Sequence, residues 1–169
     1  MAQPHAVVTE LVVILAALVL LAAYVTWTAG RLDRLHARVD AAWAGLDAQL
    51  VRRAAAARAL VPYVADPPRA TELDEAAHGA LEAGDEARET VENDLSRALR
   101  AAVPTLSAGA PVEELRAAAS RVALARSFHN AAVNDTRTIR WRRIPRLLRL
   151  AGHRAMPAYF EIDDTALAG

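Results

Sequence analysis

Cysteine is absent from all 169 residues. That excludes disulfides, a thiolate metal site and a thiol nucleophile. Lysine is absent too, so all 20 basic residues are arginine. With alanine at about a quarter of the chain, this bias reads as a GC-rich bacterial genome. Aromatics make up 5% of the residues and there are only 7 glycines, which disfavours an all-β fold. Catalytic signatures are missing as well. There is no Gly-x-Ser-x-Gly elbow, no phosphate loop and no zinc motif. His5, His36, His78, His129 and His153 lack any His-x3-His or Glu-x-x-His spacing. The sequence therefore implies no catalytic, metal or cofactor residues, and it favours a protein that is not an enzyme.

What is present is helix-forming and unevenly charged. Alanine at this level favours helix and lets helices approach closely. The length suits one small domain plus an anchor. A net charge of zero hides an asymmetry. Ten acids against Arg69 and Arg88 lie between Asp66 and Asp94, and seven arginines without an acid lie between Arg137 and Arg154. Such a split points to internal pairing or to a charged partner.

Leu11 to Ala29 is nineteen residues without a charge. At about 1.5 Å per residue it reaches roughly 28 Å, close to a ~30 Å hydrocarbon core. Tyr24 and Trp27 sit at its end, where amphipathic rings favour the interface. A cleaved signal peptide would want a basic start and a small-x-small site, and neither is there. Arg31, Arg34 and Arg38 follow the run, while only His5 and Glu10 precede it. Positive residues stay inside, so the reading is a single-pass membrane protein, N-terminus outside, with residues 31–169 in the cytoplasm.

Three long helices are expected after this anchor. Leu32, Leu35, Val39, Trp43, Leu46, Leu50, Ala54 and Ala57 fall in steps of three and four. That helix should run to about Val64, bend at Pro62 and stop at Asp66-Pro67-Pro68. A second should start at Thr71 and run unbroken to Ala102, with Gly84 in its apolar stripe. A third should begin near Val112 and reach Ile139 or Arg140. The fold class is therefore all-α: a transmembrane helix, then an antiparallel, coiled-coil-like bundle of three long helices, then a short basic C-terminal segment. The corresponding division is 1–30 tail and transmembrane helix, 31–144 bundle, and 145–169 basic then acidic segment.

Two polar clusters are candidate sites. Around Trp43 the helical wheel places Asp47 and Arg53 on opposite flanks of the apolar face, where neighbouring helices pack, and Arg52 towards solvent. A charge in such a seam persists only when paired. If the first and third helices run parallel, Asp47 stands level with Phe128, so Asp47 or Arg53 should meet Arg126, His129 or Asn130. The pairing reads as structural or as a partner contact; a small-ligand sensor or enzyme site there is the alternative. The second cluster is basic: Arg137, Arg140, Arg142, Arg143, Arg146 and Arg149, with Trp141 among them. It suits anionic lipid, with nucleic acid disfavoured. Parallel helices would put it roughly 50 Å from the membrane. There it would pair internally with Asp66, Glu72, Asp74 and Glu75.

Two stretches carry a family resemblance. AWAGLDAQLVRR, Ala42 to Arg53, resembles the first LemA signature, a Trp followed by Leu-Asp-x-Gln-Leu and basic residues. SRVALARSFHNAAVND, Ser120 to Asp135, resembles the second, with Arg121, Ala125, Arg126, Asn130, Val133 and Asn134 matching. Arg58 and Ala59 stand where that family has Pro and Asn, His129 replaces an aromatic, and the arginine-rich segment replaces a Phe-Pro. The resemblance spans nearly the whole chain and implies a helical bundle on the inner membrane face, with no settled activity. The functional expectation is an interaction or scaffold protein, its partner another membrane or cytoplasmic protein or a second copy of itself.

Overall fold

The computed structural model describes residues 4–142 and 154–163. Among them the chain is all-helical. α1 runs Pro4–Arg58, α2 Pro67–Glu82, α3 Arg88–Ala102 and α4 Val112–Arg140. No strand occurs among the described residues, only an isolated antiparallel bridge between Val64 and Leu106. The first part of α1 is long and apolar enough to cross a membrane. Among the described residues its large side chains, from Val7 through Leu21, are exposed.

Three local outcomes differ from the expected helices. First, α1 ends at Arg58 rather than near Val64. Pro62 lacks an N–H and its ring clashes with the carbonyl four residues back, which is that of Arg58. Val61–Tyr63 closes instead as a short 3-10 turn. Second, Asp66-Pro67-Pro68 is not a gap before a helix. Asp66 is the N-cap and the prolines are the first helical positions, where a missing N–H costs nothing. Third, the single helix expected over 71–102 is two. It breaks at Ala83–Gly84, re-forms through a 3-10 turn at Asp85–Ala87, and folds back. Arg69 near the start of α2 donates to the Ala101 carbonyl at the end of α3, so the pair is an antiparallel hairpin. Folding back lets Leu73, Ala77 and Ala80 share one core with Leu95, Ala98 and Leu99. A straight helix would leave both stripes seeking other partners.

The extra reversal changes the direction of α4. The loops after α1 and before α4 are tied together, Ser107 N–H donating to the Tyr63 carbonyl at 2.8 Å and Ala65 N–H to the Thr105 carbonyl at 3.1 Å. Gly109, at φ 89°, takes the left-handed conformation that favours glycine in the turn into α4. Ala54 and Ala57 pack in one cluster with Leu115 and Ala118, Leu46 and Leu50 in another with Val122, and Trp43 lies against His129. Rising numbers on α1 thus meet falling numbers on α4. The two helices are antiparallel, not parallel as the sequence suggested.

The chain divides into two compact units, one from residues 1–39 and 134–157, the other from 40–133 and 158–169. In the first, Leu32, His36, Val39, Thr136 and Ile139 are buried among the described residues. The second holds the alanine- and leucine-rich core.

Candidate functional site

In the second unit, Asp47 and Arg53 find their charged partners on α3. Arg88, Glu92 and Ser96 recur every four residues and so share one helix face. Arg88 Nη2 lies 2.7 Å from Asp47 Oδ1, and its Nη1 donates to the Ala80 carbonyl at 2.7 Å. That second bond satisfies a carbonyl left open where α2 ends. Arg53 Nη2 donates to Ser96 Oγ at 2.7 Å and to the Glu92 carbonyl at 3.1 Å. The Glu92 carboxylate stands 3.6 Å from the same nitrogen. Arg53 and Glu92 are 3% and 0% exposed, so both charges are out of water. Glu92's carboxylate oxygens accept no hydrogen bond among the described residues. Burial pushes its pKa from 4.5 up to about 7, against the pull of Arg53 and Arg88 and with the help of Asp47.

The expected partners were Arg126, His129 or Asn130 on α4; the pairs described above are with α3. That expectation used height alone, on a parallel α4 and an unbroken second helix. One sequence signal pointed to the true partners: Arg88 is one of only two arginines in the acidic stretch 66–94.

Asn130 serves a different element. Residues 158–163 run extended, and side chains of α3 and α4 hold their backbone. Asn130 Nδ2 donates to the Phe160 carbonyl at 3.1 Å and its Oδ1 accepts the Phe160 N–H at 2.9 Å. His129 Nε2 donates to the Ala158 carbonyl at 3.3 Å. Glu89 accepts the N–H of Glu161 at 2.8 Å, and Asn93 that of Asp163 at 2.9 Å. Arg100 pairs with the Asp163 carboxylate. Burial alternates as in any extended segment: Phe160 and Ile162 are 3% and 7% exposed, while Glu161 and Asp163 face out. Both apolar side chains enter the cluster of Leu46, Leu50 and Val122. Phe160 meets Trp43 edge-on at 5.4 Å, and Trp43 also lies 5.5 Å from His129. Each buried side chain contributes about 1.5–3 kcal/mol by removing apolar area from water. Burial lowers the His129 pKa below its ordinary value, opposed by the Ala158 bond. Arg126 is half-buried on the same helix.

An apolar groove of about 290 Å³ also lies between α1 and α4, with Gly45 in its lining beside the exposed Leu124 and Phe128.

In the first unit, the described basic residues Arg137 and Arg140 bind backbone carbonyls. Arg137 donates to the Pro157 carbonyl at 3.1 Å, and Arg140 to those of Ala155 and Arg154 at 2.7 and 3.0 Å. Asp66 and Asp74 pair with Arg69 and Arg58. His36 Nδ1 donates to the Leu32 carbonyl, leaving Nε2 to accept from Arg140 at 3.4 Å. Arg38 meets Asp135 at 3.3 Å. The end of α4 therefore lies beside residues 36–38 of α1, only about 10 Å along the helix from Ala29. The expected separation of 50 Å does not hold, because α4 runs the other way. Trp141 and Arg142 are exposed there; Arg143, Arg146 and Arg149 lie outside the described residues. Near the end of the apolar run, Arg31 stacks over Trp27 at 5.6 Å.

Comparison with protein-family models, curated proteins and solved structures finds no match.

Proposed function

We propose that the chain is a single-pass membrane protein whose helical bundle acts as an interaction scaffold on the cytoplasmic face. The carrying observation is the apolar run Leu11 to Ala29 in the first part of α1, exposed from Leu11 to Tyr24. Nineteen uncharged residues cannot stay in water without a partner, and a bilayer is the partner their length fits. Arg31, Arg34 and Arg38 set the orientation, N-terminus out. A LemA-like bundle is the family reading. Its support is that the two signature stretches lie together, Trp43 on His129 and Leu46 and Leu50 with Val122. The seam charges then serve the bundle as architecture, and no catalysis is assigned to them. Membranes washed with alkaline carbonate should retain the chain at the full mass of 169 residues. Release of a shorter chain lacking the apolar run would identify a cleaved leader and end this reading.

A second reading, anionic-lipid contact by the basic segment, gains from the antiparallel α4. Trp141 and Arg142 lie at the anchor end of α1, where an amphipathic ring and a cation suit a headgroup layer.

A further inference from the structure

Within the second unit, residues 158–163 lie against α1, α3 and α4 as a bound peptide lies on a receptor. Their backbone is read by Asn130, His129, Glu89 and Asn93, while two alternate side chains fill one apolar pocket. Peptide receptors divide the work in this way, with main-chain bonds supplying affinity and alternate pockets supplying specificity. Nothing in that recognition depends on the segment's belonging to the same chain. Asn130 closes a two-point clamp on one residue's N–H and C=O, which any residue offers. The pocket takes an aromatic ring at one position and an aliphatic chain two residues on, and Arg100 takes a carboxylate next to it.

We propose that this groove, walled by α1, α3 and α4, is a docking site for an extended segment of a partner protein with the pattern aromatic–any–aliphatic–acidic, and that residues 158–163 occupy it in cis as a resident competitor. The inference rests on the scaffold reading for its use, since it names the surface by which a scaffold would hold a client. It is independent of that reading in its chemistry. A tethered segment competes at an effective concentration in the millimolar range, so a partner docks only when it binds better than the tail or arrives at high local concentration. Membrane confinement supplies the second condition.

The test uses the full chain in detergent and a fluorescent, end-capped peptide, Ala-Tyr-Phe-Glu-Ile-Asp. Phe160→Ala with Ile162→Ala empties the groove of its resident side chains. The double variant should bind the peptide at least tenfold more tightly than the wild type, and adding Asn130→Ala should abolish the gain. No binding by a double variant that keeps its helicity overturns the proposal, as does binding indifferent to Asn130. Amide exchange on the wild type covers the case in which the variant does not fold. The N–H groups of Phe160 and Asp163 should exchange by local opening, far faster than those of Leu50 and Val122. Exchange of all four at one slow rate would make the tail an inseparable part of the fold and overturn the proposal. Failure of either measurement leaves membrane retention untouched, so the two readings fall separately.

Discussion

Arg53→Ala should cost about 3–5 kcal/mol of stability at pH 8, the cost of leaving a buried charge without its partner. Arg53 is the nearest cation to Glu92, at 3.6 Å, and it also binds Ser96. Removing it strands a carboxylate that is 0% exposed and whose oxygens accept no hydrogen bond among the described residues. The prediction has a second arm. Because desolvation offsets most of the Coulombic gain of a buried pair, replacing both members by apolar residues is near neutral. Arg53→Leu with Glu92→Leu should therefore recover most of the loss. Thermal unfolding of the full chain in detergent, followed by helical circular dichroism, measures both. An unchanged melting temperature in the single variant, or a double variant no better than the single, would show that the pair is not the constraint its burial implies.

The same carboxylate sets a pH dependence of definite sign. In the unfolded chain Glu92 titrates near 4.5, and in the fold burial raises it to about 7. Between those values the folded protein holds a proton that the unfolded chain releases, so stability falls as pH rises. The contribution is fully present below about 4.5 and lost on passing through about 7. A displacement of this size corresponds to about 3 kcal/mol. Arg53 and Arg88 limit the effect and Asp47 adds to it. His129 opposes it: its lowered pKa means that the buried ring resists charging, so its contribution is lost as pH falls below about 6.5. Glu92→Gln isolates the carboxylate. The variant should lose the decline between pH 4.5 and 7 and keep the histidine's acid-side loss, as read from denaturant unfolding at several pH values. An identical decline in Glu92→Gln would place the responsible group elsewhere.

Particular residues show what the sequence carried and what it withheld. The apolar run, the faces through Leu46, Leu50, Ala54 and Ala57, and the span of α4 were all legible, because each is a local pattern with one period. The hairpin was not. A stripe counted in steps of three and four passes through Ala83–Gly84 without interruption, since a tight turn can re-enter the same phase. Periodicity fixes which face is buried and says nothing of a reversal. That one missed turn inverted α4, moved the basic segment's start towards the apolar run of α1 and sent Asp47 and Arg53 to α3. The proline pair was misread for a related reason: Pro67 ends one helix and begins another equally well, and only Asp66 as N-cap decides. The tail was illegible because Phe160 and Ile162 are two alternating residues, too few for a periodic signal, and their partners Asn130 and Asn93 lie on helices far away in sequence.

The proposed scaffold role turns on where residues 31–169 stand relative to a bilayer. The direct measurement is a pair of reporter fusions after Gly169, one active only in the cytoplasm and one only outside it. A cytoplasmically active fusion with a silent external one is the predicted result. Activity of the external reporter would contradict the orientation and, with it, the scaffold on the inner face.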